Sequence, residues 1–151
     1  KMTAEKDTGS PVTFNALRFG PITVEQDKVI NFVRGIPGFE GLKRYILIDH
    51  DAEGRFKWLQ SIDDPETAFL LTDPNLFMPG YAVPLKKGDA DPIGLFDESS
   101  MAVLVMVTVF SEDKKVSLNL KGPLVFNQSN MSAMQCIVDK EDYPARFYIE
   151  P

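Results

Sequence analysis

Asp63 and Asp64 stand side by side, Asp89 and Asp91 lie close together with Glu98 beyond them, and the single histidine, His50, sits between Asp49 and Asp51. Two carboxylates can hydrolyse a glycoside when a cleft holds them at a fixed separation and raises the pKa of one. Here they flank Pro65 and Pro92, in stretches that read as open turns, where carboxylates stay solvated and ionised. The Asp-His-Asp run has the residue types of a metal site. Neighbouring residues of an extended chain point opposite ways, however, and no second histidine or paired cysteine completes a set. A serine or cysteine nucleophile would have to recruit the same His50. Nothing around Ser61, Ser117 or Cys136 has the pattern of a nucleophile elbow, and no phosphate-cradling glycine motif occurs. The sequence therefore offers no catalytic residue, no cofactor site and no metal site.

Trp58, Phe69, Phe77 and Tyr81 could stack on a sugar or a base, but at strand spacing they are expected in a core. Cys136, in the run Met134-Gln135-Cys136-Ile137-Val138, is expected as a small core residue rather than a reactive thiol. One alternative keeps these groups in play: a small-molecule-binding or hydrolytic β-domain. In it the Trp58 and Tyr81 rings line a pocket and Asp63 or Asp64 is the acid. That reading demands a concave cleft holding a partly buried carboxylate.

The segments that must position these residues have a period of two rather than 3.6. Strands are expected at 12–14, 22–24, 29–32, 45–48, 56–62, 68–72, 101–110, 116–120, 123–126 and 134–138, with a last one at 147–149. Single helical turns are expected near 75–80 and 93–99, and 81–83 as a short extended piece bounded by prolines. In the loop Arg34-Gly35-Ile36-Pro37-Gly38-Phe39 the glycines supply unusual dihedrals while Ile36 and Phe39 pack inward. Alternation in 56–62 puts Gln60 on the side of Phe56, Trp58 and Ile62, and a buried Gln60 points to a bulge that switches the face. The sum is an all-β, antiparallel, barrel-like single domain spanning 12–151 behind a flexible N-terminal tail, 1–11.

Composition narrows the function classes. Hydrophobic residues make up 44% and charged residues 25%, which excludes a disordered chain, a collagen and a coiled coil. The 16 basic residues against 22 acidic ones leave a net charge of −6. A duplex or membrane-surface binder would carry the opposite sign, so neither direct nucleic acid nor membrane is expected. An acidic chain suits a basic protein partner. One cysteine forbids an intrachain disulfide and fits a reducing compartment. The longest apolar stretch, 101–110, is far below the roughly 20 residues of a spanning helix, and no export signal is visible. A cytoplasmic monomer is the expectation.

Specific strings go further. Phe32-Val33-Arg34-Gly35-Ile36-Pro37-Gly38-Phe39-Glu40 is followed by Leu59-Gln60-Ser61, Ala68-Phe69, and Asp73-Pro74 through Phe77, Gly80 and Tyr81. Asn119-Leu120-Lys121-Gly122-Pro123-Leu124-Val125-Phe126-Asn127 comes next, then Gln135 ahead of Ile137. In this order the set resembles the FliW family of flagellar assembly factors, over most of the chain. The departures are mild. Gly122 stands where the family usually has Ala, Phe126 where Ile or Val is usual, and Gly80 where Asp is frequent. Residues 86–100 match nothing firmly. The resemblance implies a β-barrel-like fold, no catalysis and two protein partners. One is flagellin, held as a monomer in the cytoplasm. The other is CsrA, a small basic dimer that represses translation of flagellin mRNA. Free FliW would bind and antagonise CsrA, and flagellin would prevent this, so the partners exclude each other by overlap or coupling.

The partner surface is expected around the extended segment Tyr81, Ala82 and Val83, as an edge for an added strand. Acidic turns carrying Asp63, Asp64, Glu66, Asp89 and Asp91 would flank it.

Overall fold

Apolar residues occupy both faces of most strands in this chain, so each face needs its own cover. The computed structural model describes residues 10–95 and 97–150. The expected tail lies outside them except for Ser10 and Pro11. The strands are β1 (Val12–Ala16), β2 (Gly20–Val24), β3 (Ile30–Phe32), β4 (Arg44–Asp49), β5 (Phe56–Ser61) and β6 (Ala68–Thr72). They continue as β7 (Met101–Val109), β8 (Val116–Leu118), β9 (Leu124–Asn127), β10 (Ser132–Gln135) and β11 (Phe147–Ile149). The order β9-β10-β3-β4-β5-β6-β7 closes on itself, because Leu124 faces Leu104 and Asn127 faces Met101 across β9 and β7. Closure leaves a seven-stranded barrel without open edges along its pairings. Every pairing is antiparallel except β10 with β3. β7 outruns the barrel, and its far half pairs with β8, which carries β11.

The inward residues come from all seven strands. Phe32, Tyr45, Leu59, Leu71, Leu124 and Ala133 are each 0% exposed, with Leu104 and Met106 of β7 packed on them. Phe32 meets Tyr45 and Phe126 edge-on, at 5.2 and 5.9 Å between ring centres. The outward residues are covered in patches. The β1–β2 hairpin lays Phe14 and Ala16 on Ile46 of β4. Tyr81, Tyr143 and Val138 cover Val105 and Leu118. Ile93 and Leu95 cover Val125 and Met134. The expected all-β barrel is therefore the fold. Among the described residues it has four 3-10 turns (Gln26–Lys28, Pro74–Leu76, Asp91–Ile93, Glu98–Ser100) where one or two helical turns were expected.

Three local expectations change. β5 has no bulge: its register with β4 and β6 is unbroken from Phe56 to Gln60. Gln60 keeps its place on the outward face and is buried there, its amide donating to Ser61 O (3.0 Å) and Thr67 O (3.2 Å). The turn between β5 and β6 folds back over the side chain, so burial comes from a cover rather than a change of face. Phe39 does not pack inward. It is 40% exposed and meets Phe69 edge-on at 5.1 Å, whereas Ile36 is buried. Gly35 is the more constrained glycine of that loop. Its φ is 71°, and a Cβ there would stand 2.7 Å from the Glu40 backbone; the space around Gly38, with φ 89°, is open.

Candidate functional site

Ser61 ends β5 and starts the acidic turn. Its hydroxyl oxygen accepts the backbone N–H groups of Asp63 (3.1 Å) and Asp64 (2.9 Å). Asp64 closes the turn from the other side. Its carboxylate accepts the Glu66 N–H at 3.0 Å and the Thr67 hydroxyl at 2.7 Å. These bonds, the Thr67 hydroxyl foremost, hold the Asp64 carboxyl below the usual carboxylate range. Asp63 points away and engages Arg44 through both oxygens, Nη2 at 2.6 Å and Nε at 3.3 Å. The same bond raises the Arg44 pKa. Next in β4, the Tyr45 hydroxyl is buried without a partner among the described residues. Burial pushes it up to about 12, and the Asp63 and Asp64 charges act the same way. Glu66 stays exposed.

The second expected element behaves differently. Residues 81–83 are extended but pair with no strand. Tyr81 is 5% exposed, its ring centre 4.4 Å from that of Tyr143 and its hydroxyl donating to Leu120 O at 2.7 Å. A ring so placed faces the core, as expected of the aromatic set, and not a partner, which corrects the partner-surface expectation for Tyr81. The cause is the outward face of β7, which needs a cover and takes this ring. Ala82 is exposed and ties its N–H to the Tyr143 hydroxyl at 3.2 Å, and Val83 is half-buried. Asp89 accepts the Lys86 N–H at 2.7 Å, and Asp91 opens a 3-10 turn with its side chain exposed.

The expected site residues thus fall on two connections. Asp63, Asp64 and Glu66 share the β5–β6 turn, where Glu66 borders a hollow of about 200 Å³ with Leu17 and Arg18. Ala82, Val83, Asp89 and Asp91 lie on the long β6–β7 connection and border other hollows. The small-molecule alternative loses its geometry. Trp58 lies on the outward face of β5, under the Arg18 guanidinium at 3.9 Å, and donates its N–H to His50 Nδ1 at 3.1 Å. It lines a hollow with Leu70 and Val109, while Tyr81 lines one with Asn75 and Met101. Neither ring shares a pocket with Asp63 or Asp64, which sit in an open turn. His50 is exposed between an Asp49 paired to Lys57 at 2.6 Å and an Asp51 that accepts the Arg55 N–H at 2.9 Å. Among the described residues no three His, Cys, Asp or Glu side chains gather, and no helix is long and apolar enough to cross a membrane.

One feature reaches beyond the expected residues, of which only Val83 and Asp89 border it. A groove of about 690 Å³ runs between residues 83–86 and 134–140, with Arg34 at its side. Its sequence signal is slight: the apolar run 134–138 outlasts its partner run 29–32, which ends at Arg34-Gly35. Cys136 borders this groove half-buried, and burial pushes its thiol pKa up.

The fold and its surface define a small closed β-barrel that offers pinned turns and a groove beside an extended segment, with Asp63 and Asp64 in an open turn rather than an enclosed chamber. The model of the FliW protein family matches residues 13–149. The flagellar assembly factor FliW of Alkaliphilus metalliredigens is 37% identical over 132 residues, covering 87% of this chain and 82% of that protein. That of Thermoanaerobacter pseudethanolicus is 35% identical over 130 residues, covering 85% and 87%. A crystal structure of the flagellar assembly factor FliW superposes with a TM-score of 0.82 at 26% identity, covering 92% of this chain and 97% of that one. The chain belongs to the FliW family.

Proposed function

We propose that this chain is a non-enzymatic flagellar assembly factor of the cytoplasm that works through two mutually exclusive protein partners. One is flagellin, bound before export. The other is a CsrA-type translational regulator, which the chain binds and antagonises when flagellin is absent, relieving repression of flagellin mRNA. Family membership over residues 13–149 carries this reading. The net charge of −6 supports it, since an acidic surface steers a small basic dimer and makes the association salt-sensitive. The regulator would meet the acids that remain available: Glu66, Asp64, Asp89 and Asp91, with Asp63 sharing its charge with Arg44 and with Ala82 and Val83 on the same long connection as Asp89. The domain would span 12–151 and act as a monomer.

The test is a competition. The chain is loaded with purified CsrA, flagellin is added, and the release of CsrA is followed. Release supports the reading, and failure to bind either protein at low salt removes it. Asp63→Lys with Asp64→Lys should weaken CsrA binding more at low than at high salt. Equal loss at both would clear that turn of an electrostatic role.

A further inference from the structure

The wall of the barrel is incomplete at one place. β10 pairs with β3 through Ser132–Asn31 and Ala133–Phe32, and Val33 N–H donates to Ala133 O at 3.2 Å. β3 then leaves, because Gly35 turns the chain with a positive φ. β10's strand does not stop there. Cys136 N–H donates to Pro123 O (2.8 Å) and Val138 N–H to Lys121 O (2.7 Å), so 135–139 stays extended with one flank occupied. Amides alternate in direction along an extended strand, so the backbone of Ile137 faces the opposite flank, where β3 has gone. Ile137 itself is 72% exposed. The groove lies along that flank, walled by Val83, Pro84 and Leu85.

Its charge differs from that of the rest of the molecule. Arg34, Lys86 and Lys140 line it against two carboxylates, Asp89 and Asp139, and Asp89 is already bound to the Lys86 backbone. The ion pairs among the described residues, Arg44–Asp63 and Lys57–Asp49, involve none of these cations. Three cations against two carboxylates leave the groove with one net positive charge in a chain of net charge −6, a local excess that favours acidic segments over basic ones. We propose that the flank of 135–139 is a peptide-binding edge that takes an extended, acidic segment of a partner protein as an added strand, bonded to the Ile137 backbone. Carboxylates of that segment would meet Arg34, Lys86 and Lys140, and its alternate side chains would rest on Val83 and Leu85. This goes beyond the two-partner reading and does not depend on it: Val83 and Asp89 border both surfaces, but the chemistry sought along 135–139 is opposite to that of a basic regulator.

Random heptapeptides displayed on phage are selected on the immobilised full chain, and the enriched peptides are titrated in solution. Enriched peptides should carry Asp or Glu and lack a central proline. Ile137→Pro removes the central N–H of that flank while the Cys136 and Val138 bonds remain, and should weaken binding about tenfold or more, roughly the worth of one lost hydrogen bond. Arg34→Glu with Lys86→Glu changes two exposed side chains and should weaken it comparably. If Ile137→Pro melts below the parent, the double variant decides alone. Basic or unenriched peptides, or affinity unchanged from the parent in both variants, overturn the proposal. So does a concentration-dependent dimer of the chain that Ile137→Pro breaks, since the edge would then join two copies. CsrA and flagellin binding is scored separately, so the two readings fail independently.

Discussion

Residues 62–67 join β5 to β6, and residues 73–100 join β6 to β7. The short turn is held by its own side chains: Ser61, Asp64 and Thr67 bond within it, and Arg44 reaches in from β4. The long connection has such bonds too, at Asp73, Asn75, Asp89 and Asp97, but spread along 73–100 as isolated turns that do not tie it to the barrel. It is held by what it buries on the barrel, Tyr81 against Val105 and Leu120, and Ile93 against Val125. Local polar bonds fix a conformation but leave charges at the surface. Buried rings fix a path but withdraw themselves from any partner. The difference explains why acids of the turn stay available for recognition while Tyr81 does not.

The largest effect should fall on the long connection. Tyr81→Ala empties a buried site and should cost about 3–5 kcal/mol in urea denaturation. Tyr81→Phe keeps the ring but leaves the Leu120 carbonyl without its donor, at about 1–2 kcal/mol. A loss near zero for Tyr81→Ala would mean that the connection detaches without harm to the barrel, and the contrast drawn above would be gone. Next comes Asn127 of β9, buried, with its amide donating to Ile93 O at 2.9 Å and its carbonyl accepting the Ser129 N–H at 3.0 Å. Asn127→Ala should cost about 1–3 kcal/mol, and hydrogen exchange should show the 91–95 segment opening before the strands do.

Much of this contrast was open to sequence reading, and its failures share a cause. Strand positions followed from alternation, since side chains on a pleated chain must sort to two faces. The acidic turn followed from Asp-Asp-Pro-Glu between two strands. Barrel closure was expected only as a type, because nothing local says that Leu124 will face Leu104. The bulge expected at Gln60, the inward packing expected of Phe39 and the partner role expected of Tyr81 fail for a related reason. Each was judged by its own strand or loop, and each is decided by a distant element: the turn over Gln60, Phe69 beside Phe39, and Tyr143 beside Tyr81. The groove beside 135–139 was missed because it exists only where β3 ends early relative to its neighbour. Such a mismatch of lengths appears once the two strands are known to pair.

The turn itself should respond weakly to loss of its outer pair. Arg44 and Asp63 are 45% and 39% exposed, so solvent screens them. Arg44→Gln should cost under about 1 kcal/mol, and less again in about 0.5 M salt. A larger, salt-independent loss would make the turn a packed element like the long connection, and the two regions would then differ in length only.

The smallest effect separates the regions by mechanism. The Asp64 carboxyl lies below its ordinary range in the folded chain because Thr67 and Glu66 donate to its charged form. A group depressed in this way adds stability above its unfolded pKa, about 3.9, and the gain disappears as pH falls through the lower folded value. Asp64→Asn keeps the shape and removes the charge. Melting temperatures of parent and variant should therefore differ slightly at pH 7 and converge below about pH 4. Tyr81 belongs to the other kind. Burial, with Tyr143 and Cys136, raises its pKa, so its hydroxyl stays protonated throughout that acid range and the bond to Leu120 does not titrate there. The Tyr81→Phe deficit should accordingly stay constant from pH 7 down to about pH 2, while the Asp64→Asn deficit holds to about pH 4 and fades only below it. Parallel behaviour of the two variants would show that a single kind of force holds both connections.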